Sequence, residues 1–184
     1  MKEENPWKTL GAKSQYDNNW INVTEYQVIN PAGNEGIYGK VHFKNIAIGV
    51  LPLDETYHTW LIGQYRYVLD CYSWEIPEGG CPLGTSPEES ALRELKEETG
   101  LTAQKLTEIQ RLHLSNSVSD EYGIIFIAQE LEQGQAEPEE TEVFKIKRLP
   151  FEEAYRMVLN GEITDSVSVA AILKTHILIS ERKI

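Results

Sequence analysis

Ser86-Pro87-Glu88-Glu89 and Gly100 bracket a helix so firmly that the rest of the fold has to be built around it. Ser86 is a good N-cap, Pro87 suits the first helical position, and Glu89 stands where a capping box places its acid. Gly100 supplies the left-handed residue that ends a helix. The predicted helix, Pro87–Thr99, has two faces. Ala91, Leu92 and Leu95 form an apolar stripe expected to bury against a sheet. Glu94, Glu97 and Glu98 share an arc of roughly 100° beside it. Like charges about 4 Å apart cost about 1 kcal/mol per pair in water, and more when partly buried. Mg²⁺ or Mn²⁺ would relieve that repulsion, because both favour hard oxygen ligands. A solvated acidic face is the alternative reading of the same three residues.

The remaining pattern is a mixture of strands and helices. Ile46-Ala47-Ile48-Gly49-Val50-Leu51 is a continuous apolar run, expected for a strand buried on both faces. Trp60–Tyr67 and Tyr122–Ala128 are further strand candidates. Helices are expected at Phe151–Leu159 and at Ser166–Ser180, the latter with Val169, Ile172, Leu173 and Ile177 at helical spacing. Irregular alternation of this kind indicates an α/β chain of the α+β type, a mixed sheet with helices on its faces. Before residue 45 the chain reads as strands and turns: Trp20–Ile29, the turn cluster Asn30-Pro31-Ala32-Gly33-Asn34, then Gly39–Phe43. Two or three strands make no stable core alone. We therefore expect a β-rich segment, 1–44, seated on the main domain or on another subunit, and a main domain, 45–184.

Charge narrows the partners. Seventeen basic against 29 acidic residues give a formal net charge of -12. Nucleic acids and anionic membranes are polyanions, so both are poor partners for such a chain. No apolar run approaches a membrane span, and the N-terminus lacks the apolar core of a signal peptide, so a cytoplasmic setting is the simplest expectation. Cys71 and Cys81 are too few for a disulfide framework and are expected as reduced thiols. His42, His58, His113 and His176 share no ligand spacing and read as structural or surface residues. No Gly-x-Ser-x-Gly elbow supports serine hydrolysis.

The stretch Gly79-x5-Thr85-x7-Arg93-Glu94-Leu95-Lys96-Glu97-Glu98-Thr99-Gly100-Leu101 resembles the Nudix box, G-x5-E-x7-R-E-U-x-E-E-x-G-U, with U a bulky aliphatic residue. Every fixed position matches except Thr85, which stands where the box has its first Glu. The resemblance implies the Nudix α/β/α sandwich, here with the small N-terminal β-rich segment added. It also implies Mg²⁺-dependent hydrolysis of a diphosphate linked to a nucleoside, with Mn²⁺ able to substitute. On the same grounds Glu94 and Glu98 are metal ligands, with the backbone carbonyl of Glu78 beside them. Glu97 is a further ligand or a group just behind the ligands, and Arg93 orients Glu94. Thr85 is neutral and short and cannot act as a charged ligand.

Outside the box, three segments resemble the ADP-ribose and GDP-mannose pyrophosphatase branch. Gln64-Tyr65-Arg66-Tyr67 is similar to its Q-x-R strand, whose Arg meets substrate phosphate. Trp74-Glu75-Ile76-Pro77-Glu78-Gly79 is similar to its E-x-P-A-G segment, with Glu78 in place of Ala, and implies a substrate-binding role for Glu75. Pro138-Glu139-Glu140-Thr141-Glu142, ahead of a strand expected at Val143–Leu149, is similar to its acidic E-x-E loop. That likeness implies Glu140 as general base, Glu139 being one place off, and Glu142 as a metal ligand. Asn160–Ser166 resembles the turn before the branch's last helix, with Asp165 or Ser166 as cap. The branch's N-terminal segment pairs two chains, which implies a homodimer and makes Trp20 a candidate to stack on the base of a nucleoside diphosphate sugar. Two other activities compete: an RNA 5′ pyrophosphohydrolase, which the charge opposes, and a nucleotide-sugar sensor with weakened catalysis, which Thr85 alone supports.

Overall fold

The structure, a computed structural model, describes residues 4–135 and 144–184. It divides into two compact units, one running to Asn45 and taking in His113–Tyr122, the other comprising Ile46–Leu112 and Gly123–Ile184.

The first unit is an antiparallel meander of β1 (Lys8–Asp17), β2 (Ile21–Ile29) and β3 (Glu35–Phe43), in that order. The β2–β3 turn forms where the Asn-Pro-Ala-Gly-Asn cluster predicts one: the Asn30 side chain accepts from the Ala32 and Asn34 N–H groups, and Gly33 has φ 86°. β3 starts earlier than expected, and β1 carries no clear sequence signal. Its register shifts at Thr9/Gly11 and again at Ser14/Tyr16, so alternation is broken before it can be read. Residues 113–122 are held to β3. The Asp120 carboxylate accepts from the Phe43 N–H at 2.9 Å, pairs with Lys40 at 3.0 Å and lies 2.8 Å from the His42 ring. Tyr38 donates its hydroxyl to the Ser117 carbonyl.

The second unit is the mixed α+β fold that the alternation predicts. One sheet has the order β7-β4-β9-β8, from β7 (Glu78–Pro82), β4 (Asn45–Pro52), β9 (Tyr122–Gln133) and β8 (Leu101–His113). β4 and β9 run parallel, placing Ile48 opposite Ile124 and Val50 opposite Phe126. The second sheet is antiparallel, β10 (Lys145–Pro150), β5 (His58–Arg66) and β6 (Cys71–Glu75). The core lies where these runs meet. Ile48, Val50, Leu51, Leu61, Ile62 and Ile124–Ile127 are all but completely buried. Side chains of this kind each contribute roughly 1.5–3 kcal/mol on full burial.

Helix α1 (Pro87–Thr99) packs beside β7, while α2 (Phe151–Leu159) packs on α3 (Ser166–Ser180), β10 and β5. All three helices keep the expected bounds, with Asp165 as the cap of α3. Two faces differ from expectation. On α1, Ala91 and Leu95 are buried but Leu92 is 37% exposed, so the stripe is narrower. On α3, Ile177 is exposed, and the buried face is Val167, Ser168, Ala171, Ile172 and Thr175. That face lies very close to β4, where Gly49 leaves the room: a Cβ at Gly49 would sit 2.5 Å from Val167. Cys71 is exposed, Cys81 is buried, and both are free thiols. Among the described residues no helix is long and apolar enough to cross a membrane.

Candidate active site

The acidic arc of α1 is not a solvated face. Glu94 is 8% and Glu98 4% exposed, and both lean on the backbone of β7. The Glu98 carboxylate accepts from the Glu78 N–H at 3.0 Å. Glu94 lies flat over Gly79, where a Cβ would fall 2.0 Å from its carboxyl carbon. That close approach explains why a glycine opens the box. The helix is placed by its ends: Ser86 Oγ accepts from the Glu89 N–H at 3.2 Å, and Gly100, at φ 74°, donates to the Lys96 carbonyl.

Arg93 ties the acids together. Its Nη1 donates to Glu97 and its Nη2 to Glu94, each at 2.6 Å, and Nη2 also reaches the Gly80 carbonyl at 3.0 Å. Burial pushes the guanidinium pKa down, but the two carboxylates outweigh it and hold it above its ordinary value. Glu97 is thus drawn to Arg93 while Glu94 and Glu98 face β7. Thr85 closes the β7–α1 turn instead: its hydroxyl donates to the Pro82 carbonyl at 2.7 Å and lies 3.2 Å from the Cys81 sulfur.

The β6–β7 turn carries a second group of charges. Arg66, at the end of β5, grips Glu75 through Nε and Nη2, leaving Nη1 without a partner among the described residues. Glu75 is 2% exposed. Arg66 and Glu75 line a cavity of about 370 Å³ with Gln64, Tyr65, Thr164 and Asp165. The Glu78 carboxyl lies between this group and α3. Its pKa is pushed well up, first by burial, then by the charge of Asp165 and a hydrogen bond to it. The Ser168 hydroxyl donates to Glu78 Oε1 at 2.7 Å and accepts from the Ile76 N–H at 3.0 Å. Local spacing does not mark Ser168 or the carboxyls of Glu78 and Asp165: in the sequence Glu78 is a candidate only for its carbonyl and Asp165 only as a cap.

The structure therefore gathers Glu78, Glu94, Glu97, Glu98 and Arg93 around α1 and β7, with Arg66 and Glu75 beside the β6–β7 turn. Trp20 belongs to the first unit and is 66% exposed. Glu139, Glu140 and Glu142 lie outside the described residues, as does Val143, and β10 is described over Lys145–Pro150. Among the described residues no three His, Cys, Asp or Glu side chains gather into a self-sufficient metal site. The two buried carboxylates, Glu94 and Glu98, nevertheless fit Mg²⁺, which keeps several waters and is typically held by one or two carboxylates plus substrate phosphates.

The chain is similar to known proteins in sequence and in fold. The NUDIX domain matches residues 43–170. An ADP-ribose pyrophosphatase of Bacillus subtilis (strain 168) is 35% identical over 128 residues, covering 68% of this chain and 69% of that protein. An ADP-ribose pyrophosphatase of Mycobacterium tuberculosis (strain ATCC 25618 / H37Rv) is 28% identical over 178 residues, covering 94% and 84%. A solved structure described as an ADP compounds hydrolase superposes with a TM-score of 0.86 at 22% identity, over 100% of both chains. With its box folded onto β7 as a buried pair of carboxylates, and with a domain match spanning most of its length, the chain belongs to the Nudix family of hydrolases.

Proposed function

We propose that this protein hydrolyses the diphosphate bond of nucleoside diphosphate sugars, ADP-ribose or a hexose nucleotide such as GDP-mannose, in a Mg²⁺-dependent reaction. The observation that carries the reading is the pairing, in one compact unit, of the buried carboxylates Glu94 and Glu98 with the cavity where Arg66 is held by Glu75. Relatives named ADP-ribose pyrophosphatase support the substrate class. In the reaction, water adds to one phosphorus, the bridging P–O bond breaks, and a nucleoside monophosphate and a sugar phosphate leave.

Glu94, Glu98 and the Glu78 carbonyl hold the metal, with Glu142 as a further ligand. Bound Mg²⁺, or Mn²⁺ in its place, neutralises phosphate charge and lowers the pKa of the attacking water. Arg93 keeps Glu94 and Glu97 oriented through charge-assisted hydrogen bonds. Arg66 presents Nη1 to a substrate phosphate, its fork fixed by Glu75. Glu140 takes the proton of the water as general base. Trp20 stacks on the base, and the 1–44 segment pairs two chains into a homodimer in the cytoplasm. Sedimentation equilibrium at twice the chain mass of 21.0 kDa tests the last point.

The deciding experiment is chromatography of products after incubation with Mg²⁺ and ADP-ribose, ADP-glucose, GDP-mannose or triphosphorylated RNA. A nucleoside monophosphate is expected from at least one nucleotide sugar, and Glu140→Gln should slow its release by about 10²–10⁴-fold, the range for loss of a general base. Pyrophosphate from the RNA alone would replace this reading.

A further inference from the structure

We infer that Ser168, far from the box in sequence, is the residue that positions the metal ligand Glu98, by locking the β6–β7 turn. The inference rests on the assignment of Glu98 as a ligand. Ser168 is fully buried on the first turn of α3. Its surroundings fix the direction of its hydroxyl. The Ile76 N–H can only donate, so Ser168 Oγ accepts it, and the hydroxyl proton goes to Glu78 Oε1. One side chain thus grips both ends of Ile76-Pro77-Glu78. The middle is fixed separately, because the Val50 N–H donates to the Pro77 carbonyl at 2.9 Å. From this turn the Glu78 N–H points to Glu98 Oε2 at 3.0 Å.

α3 is itself set in place there, because the Ser168 N–H donates to the Asp165 cap at 2.7 Å. The route runs from the α3 cap through Ser168 to the turn, and through one backbone N–H to the ligand. Removing the hydroxyl strands the Ile76 N–H in a buried place. The turn then shifts or slackens, and the donor that holds Glu98 shifts with it. Ser168 touches neither substrate nor metal; it acts through Glu78.

Mn²⁺ alone is the probe, titrated into the full chain and followed by water-proton relaxation, so that no substrate enters the measurement. Ser168→Ala is expected to weaken Mn²⁺ binding by about 10-fold or more, the usual effect of losing a group behind a ligand. At limiting metal, kcat should fall in step while KM for the nucleotide sugar holds. Unchanged Mn²⁺ affinity in folded Ser168→Ala overturns the inference, whatever happens to its melting temperature. If Ser168→Ala does not fold, Glu78→Ala against Glu78→Gln decides. Both remove the carboxyl group, but only Gln keeps an acceptor for the Ser168 hydroxyl. Weaker Mn²⁺ binding in the Ala variant supports the inference, and equal binding overturns it. An unaltered chain that binds Mn²⁺ but cleaves no nucleotide sugar overturns the proposed substrate and leaves this inference standing. An unaltered chain that binds no Mn²⁺ overturns the inference with its premise.

Discussion

Two side chains of the box, Glu98 and Thr85, have opposite duties. Glu98 is buried against the Glu78 N–H, with its carboxylate held for a cation. Glu98→Gln keeps the shape and removes the charge, so turnover should fall by at least about 100-fold, since losing even an outer group costs 10–100-fold. A steady-state assay at saturating Mg²⁺ checks this, and near-normal turnover would dismiss Glu98 as a ligand. Thr85 donates to Pro82 and abuts Cys81. Thr85→Ala should lower stability by about 0.5–1.5 kcal/mol, the net worth of one hydrogen bond, and leave metal affinity unchanged. A large loss of Mn²⁺ binding would instead make Thr85 part of the metal site. At this scale the sequence was legible where spacing is local: Glu94 and Glu98 sit one helical turn apart. Ser168 and Glu78 are 90 residues apart, and no local pattern marks a serine whose hydroxyl is taken by a distant turn.

Elements were legible in proportion to how strongly their ends are written. α1 has an N-cap, a proline and a C-terminal glycine, and its bounds could be read directly. β7 is Glu-Gly-Gly-Cys-Pro, which reads as a loop because Gly and Pro are poor strand formers; it survives as a strand because it lies at a sheet edge, where proline is tolerated. β8, at the opposite edge, is mostly polar and half exposed, so it shows no apolar run. The glycines of β7 have a purpose that composition hides. Gly79→Ala would drive a Cβ into the Glu94 carboxylate. We expect a folded protein in which Glu94 is displaced and Mg²⁺-dependent turnover falls by about 10-fold or more. Circular dichroism with a metal titration separates this from unfolding. Ser86→Ala, by contrast, removes a cap and should cost about 1 kcal/mol of stability with the site intact.

Across the whole molecule, paired carboxylates are the natural points of acid failure, and in each unit one of them is brought down to about 2. In the first, Asp120 would be raised by its partial burial, but His42, the Phe43 N–H and Lys40 outweigh that and bring it from 3.8 to about 2. In the second, burial likewise raises Asp54, and Arg148, His58 and Thr56 bring it from 3.8 to about 2. Both carboxylates have a folded pKa below the unfolded one. Their stabilisation is therefore complete above the unfolded pKa and is lost as pH falls through the folded one, between about pH 4 and pH 2. Asp120 is partly exposed, so solvent screens its share, and Asp54, better buried, should weigh more. Asp54→Asn and Asp120→Asn should each lower stability near pH 6 and flatten the decline below pH 4. Urea denaturation at pH 6, 4 and 2.5 tests this, with Asp54→Asn showing the larger change. Curves for both variants that run parallel to that of the unaltered chain would mean that other carboxylates govern acid unfolding. The same experiment separates the units, because Trp7 and Trp20 report on one and Trp60 and Trp74 on the other. Asp120→Asn should then move the first pair of signals and Asp54→Asn the second.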